Sequence, residues 1–343
     1  MTPPETQMRR EILEIPEAVE RLLQNGSSSV TSAASALRER SPAYLVSVAR
    51  GSSDHVATYL KYASELLLGA PMASIGPSIA SVYNRQLNLN GSACLAVSQS
   101  GQSPDIVEMT RSARAGGALS IAITNNPDSP LAQAADFTLD LHAGPELSVA
   151  ATKTFVNSAV AGLWLLAEWS MDAQLRRAIF TLPETLERAV KIDWSDLRHA
   201  LAHRNSIFCL GRGPAYAISN EAALKFKETC QIHAESYSSA EVLHGPVSIV
   251  DSGFPVLALA AQDMAETALA DVADTLSQKG ATVFAATPKV KKATPLPVAR
   301  TDHALADPIC MIASFYALVE QVAVSRNINP DAPRHLNKVT ETV

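Results

Sequence analysis

The run Tyr44-Leu45-Val46-Ser47-Val48-Ala49 leads into Arg50-Gly51-Ser52-Ser53, and the same order returns at Ser206-Ile207-Phe208-Cys209-Leu210 with Gly211-Arg212-Gly213-Pro214. In both places an apolar run ends in Arg-Gly and opens into a helical pattern. The correspondence continues downstream. Ala93-Cys94-Leu95-Ala96-Val97 has its counterpart in Pro255-Val256-Leu257-Ala258-Leu259-Ala260, and Leu119-Ser120-Ile121-Ala122-Ile123 in Thr282-Val283-Phe284-Ala285-Ala286. Strand-length apolar runs alternating with helical segments argue a mostly parallel sheet covered by helices on both faces, a three-layer α/β/α arrangement. Their repetition argues an internal duplication of one α/β domain. A chain of 343 residues suits two such domains better than a single core.

The same reading sets boundaries. Met8 to Leu23 alternates charged and apolar residues, so residues 1–30 are expected as an N-terminal helix ahead of a first domain over 31–182. Within that domain Phe137-Thr138-Leu139-Asp140-Leu141 reads as a strand, and the apolar run Ala159 to Ala167 as a buried helix too short to cross a bilayer. The largely polar stretch from Leu182-Pro183-Glu184 to Asp193 marks the connection, and a second domain follows over 195–330. Residues 331–343, with Pro333 and little apolar periodicity, form a tail that is disordered by default.

One turn carries a chemical signal. Ser98-Gln99-Ser100-Gly101-Gln102-Ser103 joins the apolar run ending at Val97 to the helix-like Pro104-Asp105-Ile106-Val107-Glu108-Met109. A helix N-terminus leaves its first amides unpaired and partially positive, so a phosphate there gains hydrogen bonds and favourable electrostatics. The serines add neutral donors, Gly101 permits a positive φ, and Pro104 suits the first helical turn. An ordinary βα turn rich in capping serines fits the same residues. The second copy has Ala260-Ala261-Gln262-Asp263 at this place, so only the first copy is built to hold phosphate. In open α/β sheets ligands bind beyond the carboxyl ends of the strands, where this turn and Gly51-Ser52-Ser53 both belong.

Composition narrows the ligand. The formal charge is −6, and Lys289-Val290-Lys291-Lys292 is the one basic cluster, which disfavours nucleic acid and anionic membranes as partners. Cys94, Cys209, Cys230 and Cys310 are widely spaced in apolar surroundings and read as reduced core residues. No segment has the order of a signal peptide, so a cytoplasmic location is expected. No His/Cys/Asp cluster has metal-ligand spacing and Gly211-Arg212-Gly213 is half a dinucleotide fingerprint; no metal and no cofactor is expected.

These motifs, together with Ala143-Gly144-Pro145-Glu146-Leu147-Ser148-Val149-Ala150-Ala151-Thr152-Lys153, Glu221-Ala222-Ala223-Leu224-Lys225-Phe226-Lys227-Glu228, Glu241-Val242-Leu243-His244-Gly245-Pro246 and Pro333-Arg334-His335-Leu336-Asn337-Lys338, follow one another in a familiar order. The chain resembles the sugar isomerase (SIS) domain family over nearly its whole length, and within it the isomerase half of glucosamine-6-phosphate synthase. The resemblance implies two tandem SIS domains, flavodoxin-like in architecture, closed by a C-terminal lid. The chain departs from that synthase in beginning directly at the linker helix, without a glutaminase domain. It departs again in reading Ala150-Ala151-Thr152-Lys153 where the family has Ala-Ser-Thr-Lys.

The resemblance also implies roles. Positions 221, 225 and 228 share one helical face, which periodicity alone favours as a surface ion-pair stripe of Glu221 with Lys225. The family's glutamate at the matching position moves a proton between C1 and C2 of an open-chain sugar, making Glu228 the general base with Lys225 beside it. His244, before Gly245-Pro246 and therefore expected in a loop, corresponds to the histidine that opens the cyclic sugar and reaches a neighbouring subunit's site; a homodimer with shared active sites is implied. His142, His203 and His303 read as surface or core residues, and His233 as a structural helix residue. Lys338 corresponds to a tail lysine at the ring-opening end, able to form a Schiff base with a ketose. Ser98, Gln99, Ser100 and Ser103 map onto phosphate holders, and Ser52, Ser53 and Val149 onto sugar-hydroxyl contacts. Glu146 and Lys153 read as a structural pair or cap at a helix start.

The reaction this implies is conversion of glucosamine 6-phosphate and water to fructose 6-phosphate and ammonia. One alternative is an aminotransferring isomerase fed with ammonia by a separate glutaminase. Another, of a different class, is a non-catalytic sugar-phosphate sensor, against which stand the retained Glu228, His244 and Lys338 and the lack of a basic DNA-binding segment before Tyr44.

Overall fold

A computed structural model of the chain describes residues 5–338. They divide into two compact units. The first takes Glu17–Glu146, Lys153–Phe180 and the chain from Asn337; the second takes the chain up to Pro16, Leu147–Thr152 and Thr181–Leu336.

The first unit is built on β1 (Tyr44–Val48), β2 (Met72–Ser74), β3 (Ser92–Val97), β4 (Leu119–Thr124) and β5 (Phe137–Asp140), all parallel in the order β2-β1-β3-β4-β5. The strands β3 and β4 are buried along their whole length, which is why they read as unbroken apolar runs. Val46, Val48, Cys94, Ala96 and Ala122 point to one face, under Ile106, Val107 and Met109 of the helix Pro104–Ala115. Alternate residues turn to the opposite face, on the side of the helices Ser52–Leu68 and Lys153–Ser170, which pack on each other. The Ala159–Ala167 run lies inside the second of these and is buried.

The second unit repeats the plan with β6 (Ser206–Gly211), β7 (His233–Ser238), β8 (Pro255–Ala258), β9 (Thr282–Ala285) and β10 (Thr294–Pro295), in the order β10-β9-β8-β6-β7. Numbered by appearance within each copy, both sheets run 2-1-3-4-5. That is the flavodoxin-like order, whose switch point lies between the first and third strands. The backbone repeats too: Gly51 stands at φ 55, ψ −133 and Gly213 at φ 57, ψ −136, each opening a helix. The duplication read from the sequence is therefore present in the topology and at the level of single dihedrals.

Several local expectations change. Of the N-terminal helix read over 1–30, residues 1–4 lie outside the described residues, and the rest is not one helix: Gln7–Leu13 and Ile15–Asn25 are separated at Glu14, and Ser27–Arg40 follows. The polar connection after residue 181 is helical over Leu182–Ala189, because Pro183 is tolerated in a first turn and Leu182, Leu186 and Ala189 are buried. His233 opens strand β7 instead of sitting in a helix: the helix Pro214–Cys230 stops where Gln231 turns left-handed at φ 54. The longest apolar helix is Asp307–Ser325, long enough by composition to cross a membrane but buried as the core helix of the second unit, against Pro214–Cys230 and Leu182–Ala189. In the tail, the Asp331 carboxylate accepts the Gln7 and Met8 amides, both at 2.8 Å, and so caps the first helix. Of the tail read over 331–343, residues 339–343 lie outside the described residues.

Candidate functional site

In the first unit the Arg-Gly-Ser-Ser turn leaves β1 and the serine turn leaves β3, the neighbouring strands at the switch point. Ser98 is buried, and its Oγ accepts the Gly101 amide at 3.2 Å, while the Ser100 Oγ accepts the Gln102 amide at 3.2 Å. The turn is tied to the end of β4 through the Gln99 carbonyl, which accepts the Asn125 amide at 3.0 Å. Gly101 is demanded twice over: its φ is +64, and a Cβ there would stand 2.2 Å from Ser129 Oγ. Ser103 is the N-cap of the helix Pro104–Ala115, yet its hydroxyl makes no capping bond. Ser52, Ser53, Gln99, Ser100 and Ser103 are all partly open to solvent.

A carboxylate at this place should repel a phosphate. Asp105, fully buried in the first turn of the same helix, is neutralised by Arg50, whose Nε donates to Oδ2 at 2.5 Å and whose Nη2 meets the same oxygen. Half of the Arg50 side chain remains exposed, so the cation extends to the surface beside the serine turn. Near Ser52 and Ser53, burial pushes the Asp54 carboxyl up, and His55 draws it part of the way back.

In the second unit the helix Pro214–Cys230 carries Glu221, Lys225 and Glu228. The Lys225 Nζ donates to Glu228 Oε2 at 2.7 Å and pairs with Glu221 Oε1 at 3.1 Å. Glu221 and Lys225 are 0% and 1% exposed, so the trio is no surface stripe; Glu228, at 22%, is the member that reaches solvent. From the helix Asp307–Ser325 the Tyr316 hydroxyl donates to Glu221 at 3.1 Å. Burial alone would pull the Lys225 ammonium down, but the two carboxylates outweigh it and hold the lysine charged well above its ordinary range. The arrangement fixes one carboxylate, Glu228, by a buried cation that is itself anchored from behind.

His244 is exposed. Instead of the loop expected before Gly245-Pro246, the chain makes a single 3-10 turn over Glu241–His244, stops at Gly245 and turns again over Pro246–Ile249. Buried Val242 anchors this segment to the core of its unit. Val149 is partly exposed within Leu147–Thr152, a segment held by Glu11: its carboxylate accepts the Leu147 amide and, at 3.3 Å, that of Ser148. Lys338, in the first unit, meets Glu146 at 2.9 Å.

Glu146 caps the start of the helix Lys153–Ser170 through the Thr154 amide and hydroxyl, in keeping with its reading as a helix-start residue, whereas sequence reasoning misses Glu11 and Asp105. Glu11 carries a signal, since a charge stands on the helical stripe formed by buried Met8 and Ile12. Asp105 carries none, because an acid in a helix's first turn is ordinary.

The SIS domain family matches residues 41–168 and again 200–326. The isomerizing glutamine–fructose-6-phosphate aminotransferase of Sulfolobus acidocaldarius is 31% identical over 301 residues, covering 87% of this chain and 50% of that protein. The chain thus spans about half the length of the curated relatives it matches. Among solved structures, a protein of Silicibacter pomeroyi DSS-3 assigned as a phosphosugar isomerase superimposes with a TM-score of 0.93 at 62% identity, over 95% of this chain and 100% of that one. The glucosamine-6-phosphate deaminase of Thermotoga maritima shares the fold, with a TM-score of 0.78 at 20% identity over 98% and 100% of the two chains. With both copies matched and both sheets in the same order, the chain belongs to the SIS-domain family and carries two of its domains in tandem.

Proposed function

We propose that the chain is a phosphosugar isomerase acting on amino sugar phosphates, with glucosamine 6-phosphate and water giving fructose 6-phosphate and ammonia. The observation that carries this reading is Glu228 held by buried Lys225, a carboxylate kept in place and open to solvent. Ser98, Gln99, Ser100 and Ser103 take the phosphate, and Ser52, Ser53 and Val149 take sugar hydroxyls. His244 assists ring opening and Lys338 meets the open-chain end. Glu228 then removes the C2 proton and returns it at C1, leaving an imine at C2; water adds there and ammonia leaves. A positioned proton transfer of this kind contributes about 10²–10⁴ in rate.

Glutamine hydrolysis is not proposed for the thiols of this chain. All four cysteines are buried, and burial pushes Cys94 and Cys230 up to about 12 and raises Cys209 and Cys310 as well. None is a thiolate poised to attack a glutamine amide. The same thiols support a reducing, cytoplasmic setting. A homodimer in which His244 serves a neighbouring copy belongs to the proposal, supported by the exposed Leu243 and Ile249 in the same segment.

The test is ammonia release from glucosamine 6-phosphate set against glucosamine 6-phosphate formation from fructose 6-phosphate with glutamine or with free ammonia. Release, and formation with free ammonia only, is expected. Formation with glutamine by the isolated chain overturns the deaminase reading, and binding without turnover of any kind favours a sensor.

A further inference from the structure

Glu146 belongs to the Ala143–Lys153 motif but takes no part in the proton transfer just described. Its side chain is fully shielded from solvent, and both oxygens are engaged. Oε1 accepts the Thr154 amide at 3.1 Å; Oε2 accepts the Thr154 hydroxyl at 2.6 Å and the Lys338 ammonium at 2.9 Å. The two Thr154 bonds are those of a cap at the start of the helix Lys153–Ser170. A cap does not require a cation delivered from 192 residues away in the chain. A buried carboxylate does require a charged partner, and Lys338, 25% exposed, supplies it. The pairing constrains the lysine equally, since its four-carbon stem is flexible when unrestrained.

We propose that Glu146 is the positioning residue of Lys338. Its carboxylate fixes the tail amine at the first turn of the helix Lys153–Ser170 and so sets where that amine stands when sugar arrives. The inference rests on the role given to Lys338 above, and its test separates the two.

The first arm needs no substrate. Trypsin cleaves after Lys338 only when that side chain leaves Glu146, whereas Arg334, exposed in the same tail, serves as an internal reference. Glu146→Gln keeps an oxygen acceptor for Thr154 and removes the charge. Cleavage at Lys338 relative to Arg334 is expected to rise about tenfold, because proteolysis tracks the population of the released state. Glu146→Asp, which keeps charge and cap but draws the carboxylate back by one methylene, is expected to give an intermediate ratio and stands in should the glutamine variant misfold. The second arm is a double-mutant cycle in kcat between Glu146→Gln and Lys338→Ala, where the double variant is expected to lose no more than Lys338→Ala alone. A residue that only caps a helix would lower the melting temperature, leave the cleavage ratio unchanged and give losses that multiply, and that result overturns the proposal. A raised cleavage ratio in a chain without amino sugar turnover would refute the functional reading while leaving the Glu146–Lys338 link standing.

Discussion

The two copies of the domain share a topology and a turn geometry, and differ in what they place on them. Counted from Gly51 and Gly213, the positions of Glu221, Lys225 and Glu228 in the second copy are held by Tyr59, Ala63 and Leu66 in the first. Tyr59 and Ala63 are buried, and Leu66 is exposed. The Glu221–Lys225–Glu228 trio thus exists in one copy. The reverse holds for the turn after the third strand. Where the first copy has its serines, the second has Ala260-Ala261-Gln262-Asp263, and its Gln262 amide is already taken by the Asp307 carboxylate at 2.9 Å. Arg300 braces that carboxylate at 3.0 Å and donates to the Ala260 carbonyl at 2.8 Å. In both copies an arginine pairs with the acid nearest the turn, Arg50 with Asp105 and Arg300 with Asp307; what differs is that Asp307 already occupies a turn amide in the second copy. The two copies present equivalent switch points with different residues on them, and the proposed function assigns phosphate holding to one and proton transfer to the other.

The comparison is broken most forcefully at Lys225. Replacing it with methionine leaves Glu221 buried without its cation, and removing one partner of a buried pair costs about 3–5 kcal/mol. Urea denaturation is expected to show a loss of that order, together with a large fall in kcat. A small loss of stability with an equal fall in kcat would assign the trio to chemistry alone.

In the other copy the corresponding break is Gly101→Ala. The positive φ and the contact with Ser129 together are expected to cost about 1–3 kcal/mol. The kinetic effect should fall on KM for the phosphosugar, with kcat at saturation nearly kept. A fall in kcat at unchanged KM would count against phosphate holding by this turn.

A smaller effect lies in alkaline pH. Buried Lys225 is held above its ordinary value by Glu221 and Glu228, so the stabilisation it brings is complete below the unfolded lysine value of about 10.4 and is lost as pH rises through the higher folded value. Stability measured by denaturant should therefore decline in strongly alkaline solution, and Lys225→Met should lack that component of the decline. Identical alkaline slopes in the two proteins would show that the trio does not carry it.

Much of the fold and of the candidate site can be read in the sequence, and the parts that cannot have physical reasons. The strands β1, β3, β6 and β8 stand out because burial on both faces makes them continuous apolar runs. The strand β7, His-Ala-Glu-Ser-Tyr-Ser, does not: it is an edge strand whose residues are mostly part-exposed, and no alternation or apolar run announces it. The serine turn is legible because helix-start chemistry is local. The burial of Lys225 is not, since a glutamate four residues before a lysine is also the pattern of a solvated helix. The Glu146–Lys338 pair is the least legible of all, because nothing in either local sequence refers to the other.

The most direct test of the division of labour is the kinetic split between Glu228→Gln and Ser100→Ala, read as KM and kcat for glucosamine 6-phosphate and as calorimetric Kd for the same ligand. Glu228→Gln is expected to bind with nearly unchanged Kd and to lose about 10²–10⁴ in kcat, whereas Ser100→Ala is expected to weaken binding and keep kcat. If Glu228→Gln turned over at the wild-type rate, or if both variants lost binding and turnover in the same proportion, the two copies would not divide phosphate holding and proton transfer between them.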